Sequence, residues 1–303
     1  MADAFVLLCK SYRVDALRVK RLLDSLARHN PERLPVVIVV PEADLAIFSE
    51  IAAGHAVLLV SDEDVVRSHP QAAARDLLAR YRATPGNHRQ QVVKADAWRL
   101  LGCESWLCMD SDTVVLRDLH LSDFITPAGH PYTLMHQSRE LMQLALNRGH
   151  AEVFRHFRED SERVKTLFGR VGPDLDFGPT PTLWSARVWH DLHERYLAPR
   201  GWTLWDAIAA APAEIRWYGE ALLAYRSIPI DAIEPLFRVY HHEWQYFALK
   251  RQGETPQTLA QQFLGAVYQS NWEFELDAPG TRSTASILSR HFKRWRRRLG
   301  AMR

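Results

Sequence analysis

The stretch Ser105-Trp106-Leu107-Cys108-Met109-Asp110-Ser111-Asp112-Thr113-Val114-Val115-Leu116 constrains this chain more than any other. A short apolar run ends abruptly in two carboxylates one residue apart, and a second apolar run follows at once. The first run reads as a buried strand that delivers Asp110 and Asp112 to its carboxyl end. Charge there is costly unless something compensates it. In an open α/β sheet, ligands bind in the crevice beyond the carboxyl ends of the strands. Two hard oxygen ligands at such a mouth suit a divalent cation and, through it, a phosphate.

The flanking sequence supplies the sheet. Phe5-Val6-Leu7-Leu8-Cys9 reads as a first buried strand, followed by the polar turn Lys10 to Asp15 and a helix with Leu17, Leu22, Leu23 and Leu26 near one face. Pro35 to Val40 gives a second strand and Ala56 to Val60 a third. A helix is expected around Ala72 to Tyr81, then the breaker Thr84-Pro85-Gly86-Asn87, then a helix over 88–101 that leads through Gly102 into the central strand. Strands alternating with helices predict a mostly parallel, helix-covered sheet. Further on, Pro131 to Met135 reads as a strand, 138–171 as charged helix, and 187–197, 204–210 and 219–226 as helices. Leu236 to Tyr240 is a late strand ending in His241-His242. The economical division is one catalytic-type domain over 1–250 and an extension over 251–303.

Composition narrows the function class. Across 303 residues, 47% apolar and 24% charged content suits a folded globular chain, and a net charge of +2 gives no whole-chain argument for nucleic acid. Cys9, Cys103 and Cys108 lie in or beside apolar segments without CxxC or paired Cys/His spacing, which favours free thiols in a reducing compartment and argues against zinc. The N-terminus lacks a secretory pattern, and no run approaches the ~18 apolar residues of a membrane span, so a cytoplasmic location is expected.

The C-terminus differs in character. Residues 290–298 carry six formal positive charges interleaved with Phe292 and Trp295. Helical spacing places Leu288, Phe292, Trp295 and Leu299 on one face, which suits a helical basic extension lying on an anionic membrane surface, peripheral on the inner face of the cell membrane. A solvated basic terminus and a nucleic-acid arm are the alternatives.

Asp-x-Asp is weak as a bare pattern, and it occurs at 62–64, 110–112 and 174–176. The first pair sits where a helix should begin, with Asp62 as cap and Glu63 and Asp64 in the first turn. The last falls in a turn rich in Gly and Pro, where Asp is common. Only the middle pair is clamped between two buried strands.

That strand, Asp110-Ser111-Asp112, Thr113 and the apolar continuation resemble the DxD motif of GT-A glycosyltransferases. His88-Arg89-Gln90-Gln91-Val92-Val93-Lys94 resembles the helix preceding DxD in a bacterial GT-A-like family found with polysaccharide and glycolipid genes. The resemblance covers roughly 4–245, specifically over 88–116 and loosely elsewhere. It implies a GT-A, Rossmann-like mixed α/β sheet flanked by helices, a nucleotide-sugar donor such as a UDP-sugar, Mn2+ or Mg2+, and a glycan or glycolipid acceptor, with no nucleic-acid partner.

It also assigns roles. Asp112 is the firmer metal ligand, while Asp110 contacts metal or ribose, with Ser111 between them. Lys94 supplies a point charge for phosphates, and Gln90 and Gln91 lie on the same helix. All three also suit an exposed helix face. Lys10, Ser11, Tyr12 and Asp15 stand where this fold receives base and ribose. A late His commonly joins the metal shell, so His241 or His242 is a candidate, although adjacent residues in extended chain face opposite ways and aromatic packing explains the pair as well. Glu220 in Trp217-Tyr218-Gly219-Glu220 is the candidate general base, equally explicable as a first-turn Glu, with Asp176 the runner-up.

Two other functions compete. Asp110-Ser111-Asp112-Thr113 also fits the nucleophile loop of haloacid-dehalogenase-type phosphotransferases, with Asp110 attacking. That loop usually follows the first strand, however, and no downstream Gly-Asp-x-x-x-Asp completes a magnesium site. A non-catalytic, membrane-attached scaffold is the third reading.

Overall fold

In a computed structural model of the protein, residues 4–281 are described, together with 288, 289 and 292. The N-terminal half winds as the alternation predicts. β1 (Phe5–Lys10) leads through α1 (Ala16–His29) to β2 (Val36–Val40), and α2 (Leu45–Ala52) leads to β3 (Leu58–Ser61). Three helices, α3 (Asp62–Arg67), α4 (Leu77–Ala83) and α5 (Gly86–Leu101), return the chain to β4 (Ser105–Asp110). Gly102, at φ 65°, stops α5 in the left-handed conformation that lets the chain turn into β4.

Beyond β4 come β5 (Thr113–Val115), β6 (Thr133–Leu134), α6 (Arg139–Asn147), α7 (Ala151–Leu167), β7 (Thr182–Ser185) and α8 (Ala186–Asp191). They are followed by α9 (Leu204–Ala210), α10 (Glu214–Tyr225), β8 (Ala232–Ile233), β9 (Phe237–Tyr240), α11 (Glu243–Arg251), α12 (Pro256–Ala260) and β10 (Gly265–Tyr268).

The central sheet has the order β3-β2-β1-β4-β7. All its pairings are parallel except β4 with β7. This is the expected mixed α/β sheet flanked by helices. Its strands read as unbroken apolar runs because both faces are covered. Leu8, Val37, Trp106 and Trp184 bury into one core, and Leu7, Ile38, Leu107 and Leu183 into another on the opposite side. The alternation of strand side chains assigns neighbours to opposite cores.

β5 leaves this sheet. It pairs antiparallel with β10, which pairs in parallel with β9, as a three-stranded sheet of order β5-β10-β9. Asp110-Ser111-Asp112 therefore spans the switch from one sheet to the other. The segment after residue 250 supplies β10 to this second sheet, and Asp277 accepts from the fully buried Arg18 at 2.8 Å. The expected membrane-binding tail over 290–298 lies outside the described residues apart from Phe292. Among the described residues, no helix is long and apolar enough to cross a membrane.

Several boundaries differ from expectation for local reasons. The helix expected over 219–226 begins at Glu214. Gly219 does not start it; a Cβ there would lie 2.1 Å from the Phe177 ring, so glycine serves the packing of α10 against the 174–181 loop. Asp62 is not the cap of α3, because Ser61 Oγ accepts the Asp64 N–H at 2.9 Å and holds that position. The charged stretch 138–171 divides into α6 and α7 near Gly149, whose φ is 74°. Residues 72–76 form turns, and α4 starts at Leu77.

Candidate active site

Parallel pairing puts Lys10 of β1 opposite Asp110 of β4, so both strands end at one rim. A cavity of about 720 Å³ opens there. Ten of the residues singled out in the sequence line it together: Lys10, Ser11, Tyr12, Asp15, Gln90, Gln91, Lys94, Asp110, Ser111 and Asp112. They come from the end of β1, the N-terminal half of α5 and the turn after β4. Convergence of three separated segments on one strand mouth is the main thing the fold adds.

The two carboxylates of the motif differ. Asp110, about a third exposed, accepts from Lys94 Nζ at 2.6 Å. Lys94 is buried and also lies 3.9 Å from Glu214. Burial would depress its ammonium, but the charge of Asp110 outweighs that and holds it above its ordinary range. Asp112 is 6% exposed; its Oδ2 accepts the Ser270 N–H at 2.9 Å, and its Oδ1 is buried with no hydrogen-bond partner. Burial first, then the neighbouring Asp110 charge, pushes its carboxyl up to about 7. An orphaned carboxylate oxygen beside a second carboxylate fits a hard divalent cation, which would supply the missing partner.

The surroundings are tied down. Ser111 Oγ donates to Asp15 at 3.2 Å, and Asp15 is held by Arg18 at 2.7 Å, so the turn between the two aspartates is anchored to the first helix. Asp62, assigned by sequence to a helix start, lines the cavity instead. Its Oδ2 accepts from Lys10 Nζ at 3.0 Å and Tyr81 Oη at 2.9 Å, while its Oδ1 is buried without a partner. Gln91 Oε1 accepts the Glu214 N–H at 3.3 Å, which ties α5 to the start of α10.

Four expected residues do not line this cavity. Glu220 is 3% exposed and bound by Arg170 through two bonds of 2.6 and 2.7 Å. Asp176 accepts from Ser138 Oγ at 2.5 Å and faces Arg216 at 3.4 Å. His242 stacks on Trp244 with centroids 5.3 Å apart. His241 lines a second cavity of about 630 Å³. Its Nδ1 accepts from Gln269 Nε2 at 3.4 Å, and burial lowers its pKa to about 4, so it is neutral.

Sequence reasoning missed Glu214, Asp62, Tyr81, Arg89, Thr180 and the Gln269-Ser270-Asn271 turn, all on the cavity wall. A signal existed for Asp62: Ser61 is at least as good a cap, which would have freed the aspartate for another role. No local signal pointed to residues 269–271, because β10 brings them there by long-range pairing.

A second cluster is separate. His69, Asp96 and His193 are buried with ligand atoms within 4.8 Å of one another, and none lines the 720 Å³ cavity. Asp96 is engaged by His193 at 3.1 Å and by Arg99 at 3.2 Å. His69 Nδ1 accepts the Gln71 N–H at 3.1 Å, which leaves its proton on Nε2 and argues against metal ligation through that atom.

The parallel sheet, the switch after β4 and the mixed edge strand define a GT-A-like α/β fold. The chain belongs to a family of unknown function, DUF6492, whose sequence model matches residues 5–262. No curated protein matches it. Among solved structures it is similar to mouse xyloside xylosyltransferase 1 in its apo form, with 9% identity and a TM-score of 0.49 over 88% of this chain and 98% of that one. It is also similar to the WbbM bifunctional glycosyltransferase in its apo form, with 13% identity and a TM-score of 0.51 over 96% of this chain. The chain spans 52% of that larger protein. At 13% identity the likeness to WbbM speaks for the fold alone.

Proposed function

We propose that this protein is a metal-dependent glycosyltransferase of the hexosyltransferase type. It moves a sugar from a nucleotide donor, a UDP-sugar, to a glycan or glycolipid acceptor in bacterial cell-surface polysaccharide or glycolipid synthesis. The observation that carries the reading is Asp112 Oδ1, a buried carboxylate oxygen without a partner at the end of the fourth strand.

Asp112 would hold the cation, with Asp110 beside it. A bound Mn2+ or Mg2+ supplies charge neutralisation for the departing nucleoside diphosphate. The chain's own residues do the rest. Lys94 keeps its proton in the cavity wall and offers a fixed positive charge to phosphate oxygens, restrained by Asp110 and Glu214. Arg89, whose guanidinium lies 4.9 Å from the Tyr81 ring centroid, adds a second cation at the cavity edge. The Asp15–Ser111 bond fixes the turn, so that the carboxylates need little reorganisation when a ligand arrives.

Thermal melting with UDP, GDP, CDP and Mn2+, alone and in pairs, tests the reading. Nucleotide and metal together are expected to raise Tm more than either alone, and Asp112→Asn to remove the synergy. Absence of any synergistic shift in the unaltered protein would sink the proposal.

A further inference from the structure

The second cavity, about 630 Å³, falls in the size range of small-ligand sites. Its relation to the first is close. Pro179 lines this cavity and Thr180, the next residue, lines the other. His241 lines this one and is contacted by Gln269 and Asn271, which line the other, at 3.4 Å each. The two spaces therefore meet at a wall made of Thr180, His241 and Gln269. A transferase must hold two substrates against one reacting centre, and adjoining cavities are a way to do so.

The lining tells the chemistry of the occupant. Leu141, Leu144, Val239 and Phe263 belong to it, and of these Leu141 and Leu144 are half-buried and present apolar surface. Arg139, also on the lining, is held by the neutral Gln137 amide oxygen at 2.7 and 3.0 Å. Arg238 pairs with Glu140 and Glu254 at 2.8 Å each and stacks 4.6 Å from the Phe263 centroid, and His136 Nδ1 accepts the Ser138 N–H at 3.1 Å. His136 and Gln245 add polar edges, and both are already engaged with the backbone at Gly178 and Val239. Apolar surface beside a polar rim suits a polyol head group joined to a hydrocarbon.

We infer that this cavity binds the acceptor, and that the acceptor is an amphipathic glycoside: sugar hydroxyls toward the Thr180–His241 wall, apolar aglycone along Leu141, Leu144 and Phe263. The inference rests on the glycosyltransferase reading for its role, though not for its chemistry.

The test is calorimetric titration of the full chain with submicellar n-alkyl β-D-glucosides from hexyl to nonyl, against methyl β-D-glucoside. Each added methylene that is buried should tighten binding about fourfold. Leu144→Arg and, separately, Leu141→Glu should abolish that dependence while UDP with Mn2+ still binds, which also shows that each variant is folded. Flat, weak binding along the series, or chain-length dependence that survives both substitutions, overturns the site even when UDP and Mn2+ bind normally. Chain-length dependence in a protein that binds neither UDP nor Mn2+ overturns the acceptor role together with the transferase reading, and leaves an amphiphile site.

Discussion

The two cavities share a wall and handle charge in opposite ways. In the first, Asp112 keeps an oxygen without a partner and a carboxyl pushed up to about 7 by burial and by Asp110. In the second, Arg238 is matched by Glu140 and Glu254, and burial holds His241 neutral with a pKa of about 4. The first is electrostatically incomplete without a cation, whereas in the second the one arginine with a largely buried side chain already has two carboxylate partners. An uncompensated buried acid marks a site that a ligand finishes, while matched pairs mark a surface that selects by shape and apolar contact.

The sharpest way to break the comparison is Asp112→Asn. If the unpartnered oxygen serves a cation, transfer should fall about a thousandfold and nucleotide should no longer bind better with Mn2+ than without. Retained metal synergy in this variant would move the site elsewhere.

Proton linkage gives the next test, because the two groups titrate with opposite sign. Asp112 has a raised folded pKa, so the native state holds the extra proton between about pH 4 and 7. The Asp112 contribution to metal-free stability should therefore fall as pH rises through that window, by roughly 2–4 kcal/mol, and Asp112→Asn should leave a profile that rises with pH. His241 has a depressed folded pKa, so its contribution is present above about pH 6.5 and lost as pH falls toward 4, by about 3 kcal/mol. His241→Gln should leave a profile that falls as pH rises. Urea unfolding of metal-free protein at pH 4.5, 6 and 8 separates the two slopes, and a wild-type profile indistinguishable from both variants would refute the assignment.

Lys94→Met probes how the first cavity restrains its charge. Removing the cation leaves Asp110 and Glu214 without their shared partner. Nucleotide affinity should fall about tenfold and the metal-free protein should also melt lower. Lowered melting with undiminished nucleotide affinity would make Lys94 structural only.

How much of this was legible beforehand follows from sequence distance. Asp110, Asp112, Lys94 and the Lys10–Asp15 turn announce themselves through local pattern, since a carboxylate ending an apolar strand and a helix leading into that strand are short-range facts. The parallel sheet followed from unbroken apolar runs such as Val36–Val40. What stayed hidden depended on pairing across the chain. Ser270 reaches Asp112 only because β10 lies beside β5, 158 residues away along the sequence. Glu214 was missed because Gly219 mimics a helix start, when its lack of a Cβ instead makes room for Phe177. Asp62 was concealed by a true cap one residue earlier.

Glu220→Gln is the smallest expected effect on turnover and the one that separates a tethered carboxylate from a reactive one. Arg170 grips both oxygens of Glu220, and side-chain exposure is 19% for the arginine and 4% for the glutamate. Such a pair consumes the acceptor capacity that a general base would need for an incoming hydroxyl. Replacing the carboxylate by an amide should cost stability, about 1–3 kcal/mol, because Arg170 is left with a neutral partner. The rate of transfer should stay within about twofold, well short of the 10²–10⁴ that a missing base exacts. A Glu220→Gln protein that melts normally and turns over a hundredfold more slowly would return Glu220 to the catalytic role its sequence context suggests, and would require Arg170 to release it during the reaction.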